Sequence, residues 1–319
     1  MSRPPTLSIL DPTSLFGREL IERAAQTLQG SSLRLFQTQQ ADEHLLLEAA
    51  AEASLVQPLR EPDELYGSKV LVVTDAPPTP LAAALATWLS DHPEVVVLDC
   101  TQPGILADAV QLWVALPETH PPRRWYHLVD PALHAPFQLV RALVALAPKT
   151  CQLTLLSPAA TFGADAIEEL AVQGATRLSG RPAPRPVCLP GVLAFDIAPA
   201  AHERLQALAA QLAAIMPGVP CEAQVMDTGV FHGHLATASL TFQAPVRTER
   251  VRSLLRAAPV LRLARANERI GMSAAVAKDT VVCGGLHVVG ASMSAWLASD
   301  GQRLSAAAAA GLLSALMAT

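Results

Sequence analysis

Val70-Leu71-Val72-Val73 and Val95-Val96-Val97-Leu98 decide the fold. Both are continuous apolar runs rich in valine, without polar alternation, the pattern of parallel strands buried on both faces. Between them, Leu81 to Leu89 reads as a crossover helix, so the three segments form one strand–helix–strand unit. The rhythm continues towards the N-terminus. Thr6-Leu7-Ser8-Ile9-Leu10 is a short apolar strand, Asp11-Pro12-Thr13-Ser14 carries capping residues, and Leu15, Leu20, Ile21 and Ala24 recur with helical spacing. Leu33-Arg34-Leu35-Phe36 is the next strand. Strands and helices alternating in this way predict an α/β fold with a Rossmann-type doubly wound parallel sheet, an architecture that often holds a dinucleotide.

Further along the chain the pattern changes. Phe137 to Ala147 reads as a helix, Gln152 to Leu156 as a strand, and Ala164 to Gln173 as a helix. Arg181-Pro182-Ala183-Pro184-Arg185-Pro186 is a loop by composition. Glu203 to Ile215 is amphipathic, and Cys221 to Asp227, Ala236 to Phe242 and Val281 to Val289 are strands. Ser305 to Met317 is an alanine-rich helix whose small side chains suit close docking. Two domains are predicted: residues 1–127, with the C-terminal helix 303–319 packed back on them, and an α+β domain over 128–302 with a mostly antiparallel sheet.

Composition narrows the function. The chain has 319 residues, 51% hydrophobic and 16% charged, with a formal net charge of −5. No Lys/Arg-rich run stands out, so nucleic acid is not an expected partner. No uncharged apolar stretch reaches the roughly 20 residues of a spanning helix, so no membrane insertion is expected. Met1-Ser2-Arg3-Pro4-Pro5 lacks the long apolar segment of a secretory leader. Cys100, Cys151, Cys188, Cys221 and Cys283 are scattered without a CxxC pair, which reads as reduced thiols in a cytoplasm.

Several stretches, in order, resemble the aspartate-semialdehyde dehydrogenase family. Leu10 to Leu20 stands where the family has GATGxVGxxL, and Phe137-Gln138-Leu139-Val140 resembles the segment after the catalytic cysteine. Ser157 to Leu170 (SPAATFGADAIEEL) is similar to SGAGxxGxxEL, and Leu193 to Pro199 (LAFDIAP) to LAFNxIP. Thr228 to Phe242 (TGVFHGHLATASLTF) is similar to VPVxxGHSxAVxVEF, and Trp296 to Ala307 to WxxADNLRKGAA. The resemblance implies a Rossmann domain for NADP, a dimerisation domain, and ancestry in amino-acid biosynthesis. It also implies a thiolate nucleophile, a histidine acid–base, and arginines holding the substrate carboxylate and phosphate.

The residues depart from that pattern at each chemical position. The phosphate-loop glycines fall on Asp11 and Ser14, with Pro12 between them; Gly17 alone remains, so Thr13, Ser14, Gly17 and Asp300 are the residual cofactor candidates. A carboxylate at Asp11 would face a dianionic group, unless Asp11 and Ser14 simply cap the helix. Gln37-Thr38-Gln39-Gln40 supplies neither an acid for a ribose hydroxyl nor an arginine for a 2′-phosphate. The family's NPxCSTxQ maps onto Asp130 to Gln138 with one extra residue, placing Leu133 or His134 at the cysteine position. An expected arginine aligns with Asp227, a charge reversal, and another falls near Ile105. The family's lysine on the helix over 203–215 has no counterpart, since no lysine occurs between Lys149 and Lys278. His234 at the acid–base position, His134, Gln138, Gly229, and Asp300 with Arg303 remain.

These departures predict a dimeric pseudoenzyme with a binding or regulatory role, a homodimer or a heterodimer with an active paralogue, requiring no cofactor. The alternative is an NADP-dependent oxidoreductase that uses His234 without a covalent step. A third reading draws on His232-Gly233-His234. Residues two apart on a strand share a face, so these histidines with His134 and Asp227 could bind a metal ion. Arg123-Arg124-Trp125-Tyr126 is either a partner-binding cluster or a packed junction.

Overall fold

In the computed structural model, which describes residues 6–27, 32–39, 45–49, 52–102, 104, 110–112 and 123–318, the two valine-rich runs lie side by side at the centre of a sheet. Its elements are β1 (Thr6–Leu10), α1 (Leu15–Thr27), β2 (Ser32–Gln37), β3 (Leu45–Ala49), β4 (Glu52–Pro58), β5 (Val70–Val73), α2 (Thr79–Asp91), β6 (Val96–Asp99), β7 (Val110–Leu112) and β8 (Trp125–Leu128). The strand order is β3-β4-β2-β1-β5-β6-β8-β7. Every neighbouring pair is parallel except the β3–β4 hairpin, which the sequence reading did not anticipate.

The absence of polar alternation in the central strands has a direct packing cause. Val70 and Val72 point to one face with Leu7 and Ile9, against α1 and the alanines and leucines of a C-terminal helix, α7 (Gly301–Ala318). Leu71 and Val73 point to the other face with Leu10, against Leu85, Trp88 and Leu89 of α2. Each residue of the four-residue run is fully buried.

Arg123-Arg124-Trp125-Tyr126 is tied into the first sheet. Trp125 and Tyr126 open β8, Tyr126 is buried, and its hydroxyl accepts the Arg123 N–H. The Arg124 guanidinium donates to the carbonyls of Leu89, Val95 and His92, tying β8 to the end of α2.

The second sheet is mixed. It contains β9 (Pro148–Ser157), β10 (Ile197–Pro199), β11 (Cys221–Thr228), β12 (His234–Phe242), β13 (Leu261–Leu263), β14 (Val281–Val289) and β15 (Ser292–Ser299), in the order β10-β11-β9-β12-β15-β14-β13. Four of the six neighbouring pairs are antiparallel; β9–β11 and β13–β14 are parallel. Helices α3 (His134–Ala142), α4 (Ala164–Leu178), α5 (His202–Ile215) and α6 (Thr248–Ala257) complete this part. Ala236, Ala238 and Leu240 of β12 are buried, whereas Ser239 and Thr241 on the opposite face are exposed. The sheet is therefore apolar on one side and Ser/Thr-rich on the other.

Several boundaries differ from the sequence reading. The helix expected over Phe137 to Ala147 begins earlier, at His134, and ends at Ala142. A 3-10 turn (Val144–Leu146) follows and closes on Ala147 in the left-handed region (φ 51°). The alanine-rich C-terminal helix also begins earlier, at Gly301. The chain divides into two compact units, Met1–Val129 with Ser305–Thr319, and Asp130–Leu304. Among the described residues, no helix is long and apolar enough to cross a membrane.

Candidate functional site

Asp130 begins the site. Its Oδ1 accepts the Ala132 N–H at 2.8 Å and so caps a 3-10 turn, Pro131–Leu133, with Pro131 at the first position, where a missing N–H costs nothing. Its own N–H donates to Gln211 Oε1 of α5 at 2.7 Å. The turn delivers Leu133 and His134, the two residues that the sequence resemblance offers for the cysteine position, into the interior, and both are fully buried. His134 opens α3, and Gln138 lies one turn on with its Nε2 buried and without a hydrogen-bond partner.

His234 approaches from the sheet. Gly233, in the left-handed region (φ 86°), lets the chain turn into β12; a Cβ there would lie 2.6 Å from the Met272 carbonyl oxygen. The strand starts only at His234, and His232 is exposed ahead of it. The expectation that His232 and His234 share a strand face therefore fails, because Gly233 breaks the extended backbone between them.

The His234 ring is 4% exposed, and neither ring nitrogen has a hydrogen-bond partner. Burial pushes its pKa down to about 4; Asp130 and Asp300 pull it up, and Arg204 pushes it down. His134 is held at about 3, by burial first and by His234 second. The two imidazoles are thus near neighbours, and both are neutral at physiological pH. Gly301, at the start of α7, leaves room for the His234 ring: a Cβ there would lie 2.8 Å from His234 Nδ1 and 2.4 Å from the Pro131 carbonyl oxygen.

Asp227, on β11, is 1% exposed and does not stand alone. Arg204, in the first turn of α5, donates from Nη1 to Asp227 Oδ1 at 2.6 Å and from Nη2 to Ser157 Oγ at 2.9 Å. Its Nη2 also lies 3.6 Å from Asp130 Oδ2, and its guanidinium sits over the Phe162 ring at 5.6 Å. Burial raises the Asp227 pKa, Arg204 opposes the rise, and Asp130 adds to it. Sequence reasoning missed Arg204 because it sought a lysine on this helix; the Glu203-Arg204 pair opening the amphipathic run was the available signal. Asp227 is thereby committed to a guanidinium. That removes it from the proposed metal set with His134 and His234, and among the described residues no group of three or more His, Cys, Asp or Glu is arranged to hold a metal ion.

Asp300 and Arg303, expected near the cofactor, have structural partners. Asp300 Oδ1 accepts the Arg303 N–H and Oδ2 accepts the Ala277 N–H, while Arg303 Nε pairs with Asp279 at 3.1 Å. Gly229 is needed for packing: a Cβ would lie 2.2 Å from the Leu193 carbonyl oxygen. None of the cysteines contributes to the electrostatics of His134 or His234. Cys151 and Cys221 instead pair with each other across β9 and β11.

The loop after β1 is a separate feature of the first unit. Asp11 sits in the left-handed region (φ 54°), and its carboxylate accepts Gln37 Nε2 at 2.8 Å, Thr38 N at 2.8 Å and Thr38 Oγ1 at 2.6 Å. It therefore turns towards the end of β2, neither facing outward as an anion nor capping α1. Ser14 does cap α1, accepting the Gly17 N–H at 3.0 Å, and it contacts Thr74 Oγ1 at 3.1 Å. Thr13 donates to Gln37 Oε1 at 2.8 Å. A Cβ at Gly17 would lie 2.8 Å from the Asp11 carbonyl oxygen, so this glycine serves loop–helix packing. Burial raises the Asp11 pKa to about 6 against the opposing hydrogen bonds. A pyrophosphate needs free backbone N–H groups and no competing anion. This loop has a proline, a buried carboxylate and side chains committed to each other, so it does not fit that group as a glycine-rich loop would. Ile105, where a second arginine was sought, lies outside the described residues.

No protein-family model matches the chain, and no curated protein matches it in sequence. Solved structures do match. Aspartate semialdehyde dehydrogenase II from Vibrio cholerae, in complex with ASA, superposes with a TM-score of 0.83 at 19% identity, covering 99% of both chains. A probable aspartate-semialdehyde dehydrogenase from Pseudomonas aeruginosa gives 0.82 at 18% identity over 99% of both chains. The Francisella tularensis enzyme gives 0.78 at 11% identity over 97% of this chain and 98% of the other. The chain has the fold of these dehydrogenases over almost its whole length.

Proposed function

We propose that a dehydrogenase fold whose thiol position holds no thiol makes this protein a pseudoenzyme, a dimeric binding or regulatory protein that does not turn over aspartate semialdehyde. The reading rests on the resemblance, which puts Leu133 and His134 where a cysteine is expected, and on one observation: the guanidinium of Arg204 is already engaged by Asp227, Ser157 and Asp130. Dehydrogenation through an acyl-enzyme needs a thiolate to attack the carbonyl and leave again, and a buried neutral imidazole supplies neither property. An anionic substrate needs an uncommitted cation, and Arg204 is not one. The committed loop after β1 supports the same conclusion for NADP. For the dimer, the support is the uncovered face of the second sheet, where Trp296 and Val289 are exposed beside a cavity of about 340 Å³ lined by residues such as Thr150, Thr241 and Ser294.

The test is a fluorescence titration with NADPH and NADH, run beside an assay for NADP- and phosphate-dependent oxidation of aspartate semialdehyde. No saturable binding up to millimolar cofactor and no turnover is the expected result. Saturable micromolar binding or measurable turnover overturns the reading. One observation favours a second reading, an NADP-dependent oxidoreductase without a covalent step: His234 is neutral, buried and unpartnered at both nitrogens, as an acid–base group can be. Turnover abolished by His234→Ala would establish it.

A further inference from the structure

The region from Arg247 to Arg269 carries seven arginines against two glutamates, in a chain whose formal net charge is −5. The sequence reading found no Lys/Arg-rich run because these residues are spaced along a helix, a strand and a loop. The structure gathers them at one edge of the second sheet. Helix α6 turns Val251 and Leu255 inward, both fully buried, and packs beside β13, the edge strand. Arg252 and Arg256 lie one turn apart on its exposed surface, and Arg265 and Arg269 are exposed in the segment that follows β13. Arg247 and Arg250 are exposed at the start of α6. None of these six forms an ion pair among the described residues; only Arg262 does, with Glu268. Like charges on adjoining elements repel one another, and leaving them unpaired contributes nothing to the stability of the chain alone.

We propose that this edge is a docking surface for an acidic, Asp/Glu-rich segment of a partner protein. The patch shows on itself how it holds a carboxylate. Both terminal nitrogens of Arg262 donate to the two oxygens of Glu268, at 2.9 and 2.5 Å, and the Arg265 N–H adds a third bond at 3.0 Å. Those bonds hold the Glu268 carboxyl down to about 2. Beside it lies an open cavity of about 490 Å³ lined by Arg262, Arg265, Asn267 and Glu268. Planar guanidinium forks suit carboxylates. Nucleic acid is the weaker fit: the region from Arg247 to Arg269 contains no Phe, Tyr or Trp on which a base could stack, and the rest of the chain is strongly acidic. The surface does not depend on whether the pocket around His234 turns anything over.

The probe is a fluorescein-labelled Asp/Glu-rich peptide, followed by anisotropy at low and moderate salt, beside its Asn/Gln counterpart and a labelled single-stranded DNA. The intact protein is compared with Arg252→Glu/Arg256→Glu/Arg265→Glu/Arg269→Glu and with the milder quadruple change to Gln. These positions are exposed, and circular dichroism checks that both variants fold. Saturable binding of the acidic peptide alone, weakened by salt and lost by at least about tenfold in both variants, is the expected result. Equal binding by the variants, no binding at low salt, or DNA binding as tight as the peptide overturns the proposal. So does self-association of the protein alone that the charge reversals abolish, which makes the occupant a second copy.

Discussion

Replacing Arg204 by Met tests the electrostatic heart of the pocket. The change keeps most of the side-chain volume and removes the guanidinium that holds Asp227 Oδ1 at 2.6 Å. The Asp227 and Asp130 side chains are only 1% and 5% exposed, and Arg204 itself is 17% exposed, so solvent screens the lost interaction little. Breaking one partner of a buried pair costs about 3–5 kcal/mol, because the remaining charge is left without compensation. Asp227 limits the damage by taking up a proton: its pKa is already raised by burial, and losing Arg204 raises it further. A raised carboxyl pKa means that the folded state binds protons the unfolded chain does not, so stability increases as pH falls. The variant therefore loses about 3 kcal/mol at pH 7.5, a drop of roughly 6–12 °C in Tm for a unit of this size, and recovers much of the gap at pH 5. Thermal melts of both proteins across that range provide the measurement. Adding Asp227→Asn to Arg204→Met restores part of the loss at pH 7.5. An unchanged Tm at pH 7.5, or a gap of the same size at both pH values, refutes the reasoning.

The Asp11 carboxyl, raised to about 6, favours the fold at low pH and costs up to roughly 3 kcal/mol once ionised, so wild-type melting temperature falls between pH 4 and 6.5 relative to Asp11→Asn; parallel melting curves for the two proteins contradict this. His234→Leu removes two buried unpartnered nitrogens and raises stability by about 1–2 kcal/mol, read as a higher Tm; a lower Tm means that the ring is held by contacts it must keep. Gly229→Ala puts a Cβ 2.2 Å from the Leu193 carbonyl and lowers stability by about 2 kcal/mol or more in denaturant unfolding, whereas Gly191→Ala, with open space around it, is tolerated. For the dimer proposed above, Trp296→Glu on the uncovered sheet face yields a monomer in size-exclusion light scattering where the unaltered protein has twice the mass, and an unchanged mass overturns the assignment to that face.

How much the sequence disclosed depended on the range of each interaction. The central strands were readable because burial on both faces forbids polar residues, and Val70 to Val73 obey that rule without help from distant chain. Strand β15, which the sequence reading did not include, carries the same kind of local signal, since Met293, Ala295 and Leu297 alternate with Ser292, Ser294 and Trp296. The His232–His234 pairing failed because it assumed an unbroken strand, and a glycine at positive φ is compatible with either outcome until Met272 is known to lie beside it. The Asp11 arrangement was not readable at all. A non-glycine residue at positive φ is uncommon, and it is sustained here by Gln37 and Thr38, more than twenty-five residues away in sequence.

The contrast between Asp227 and His234 bears on what the pocket is for. A buried polar cluster that serves packing alone has its members satisfied in a uniform way, each group either paired or replaced by something apolar. Asp227 meets that standard, because Arg204, reached from a different element, neutralises it and also satisfies Ser157. His134, fully buried at the start of α3, shares the loss of charge with His234 and does not separate the two. His234 does not meet the standard. Two ring nitrogens stay buried and unpartnered, as does the Oγ of Ser299, its register partner on β15, at a cost of about 1–3 kcal/mol for each unsatisfied group. Packing alone does not explain this group, since Gly301 must lack a side chain to admit the His234 ring. On the binding role proposed above, His234 is therefore the group to test first for a ligand contact, because Arg204 and Asp227 are already committed to each other.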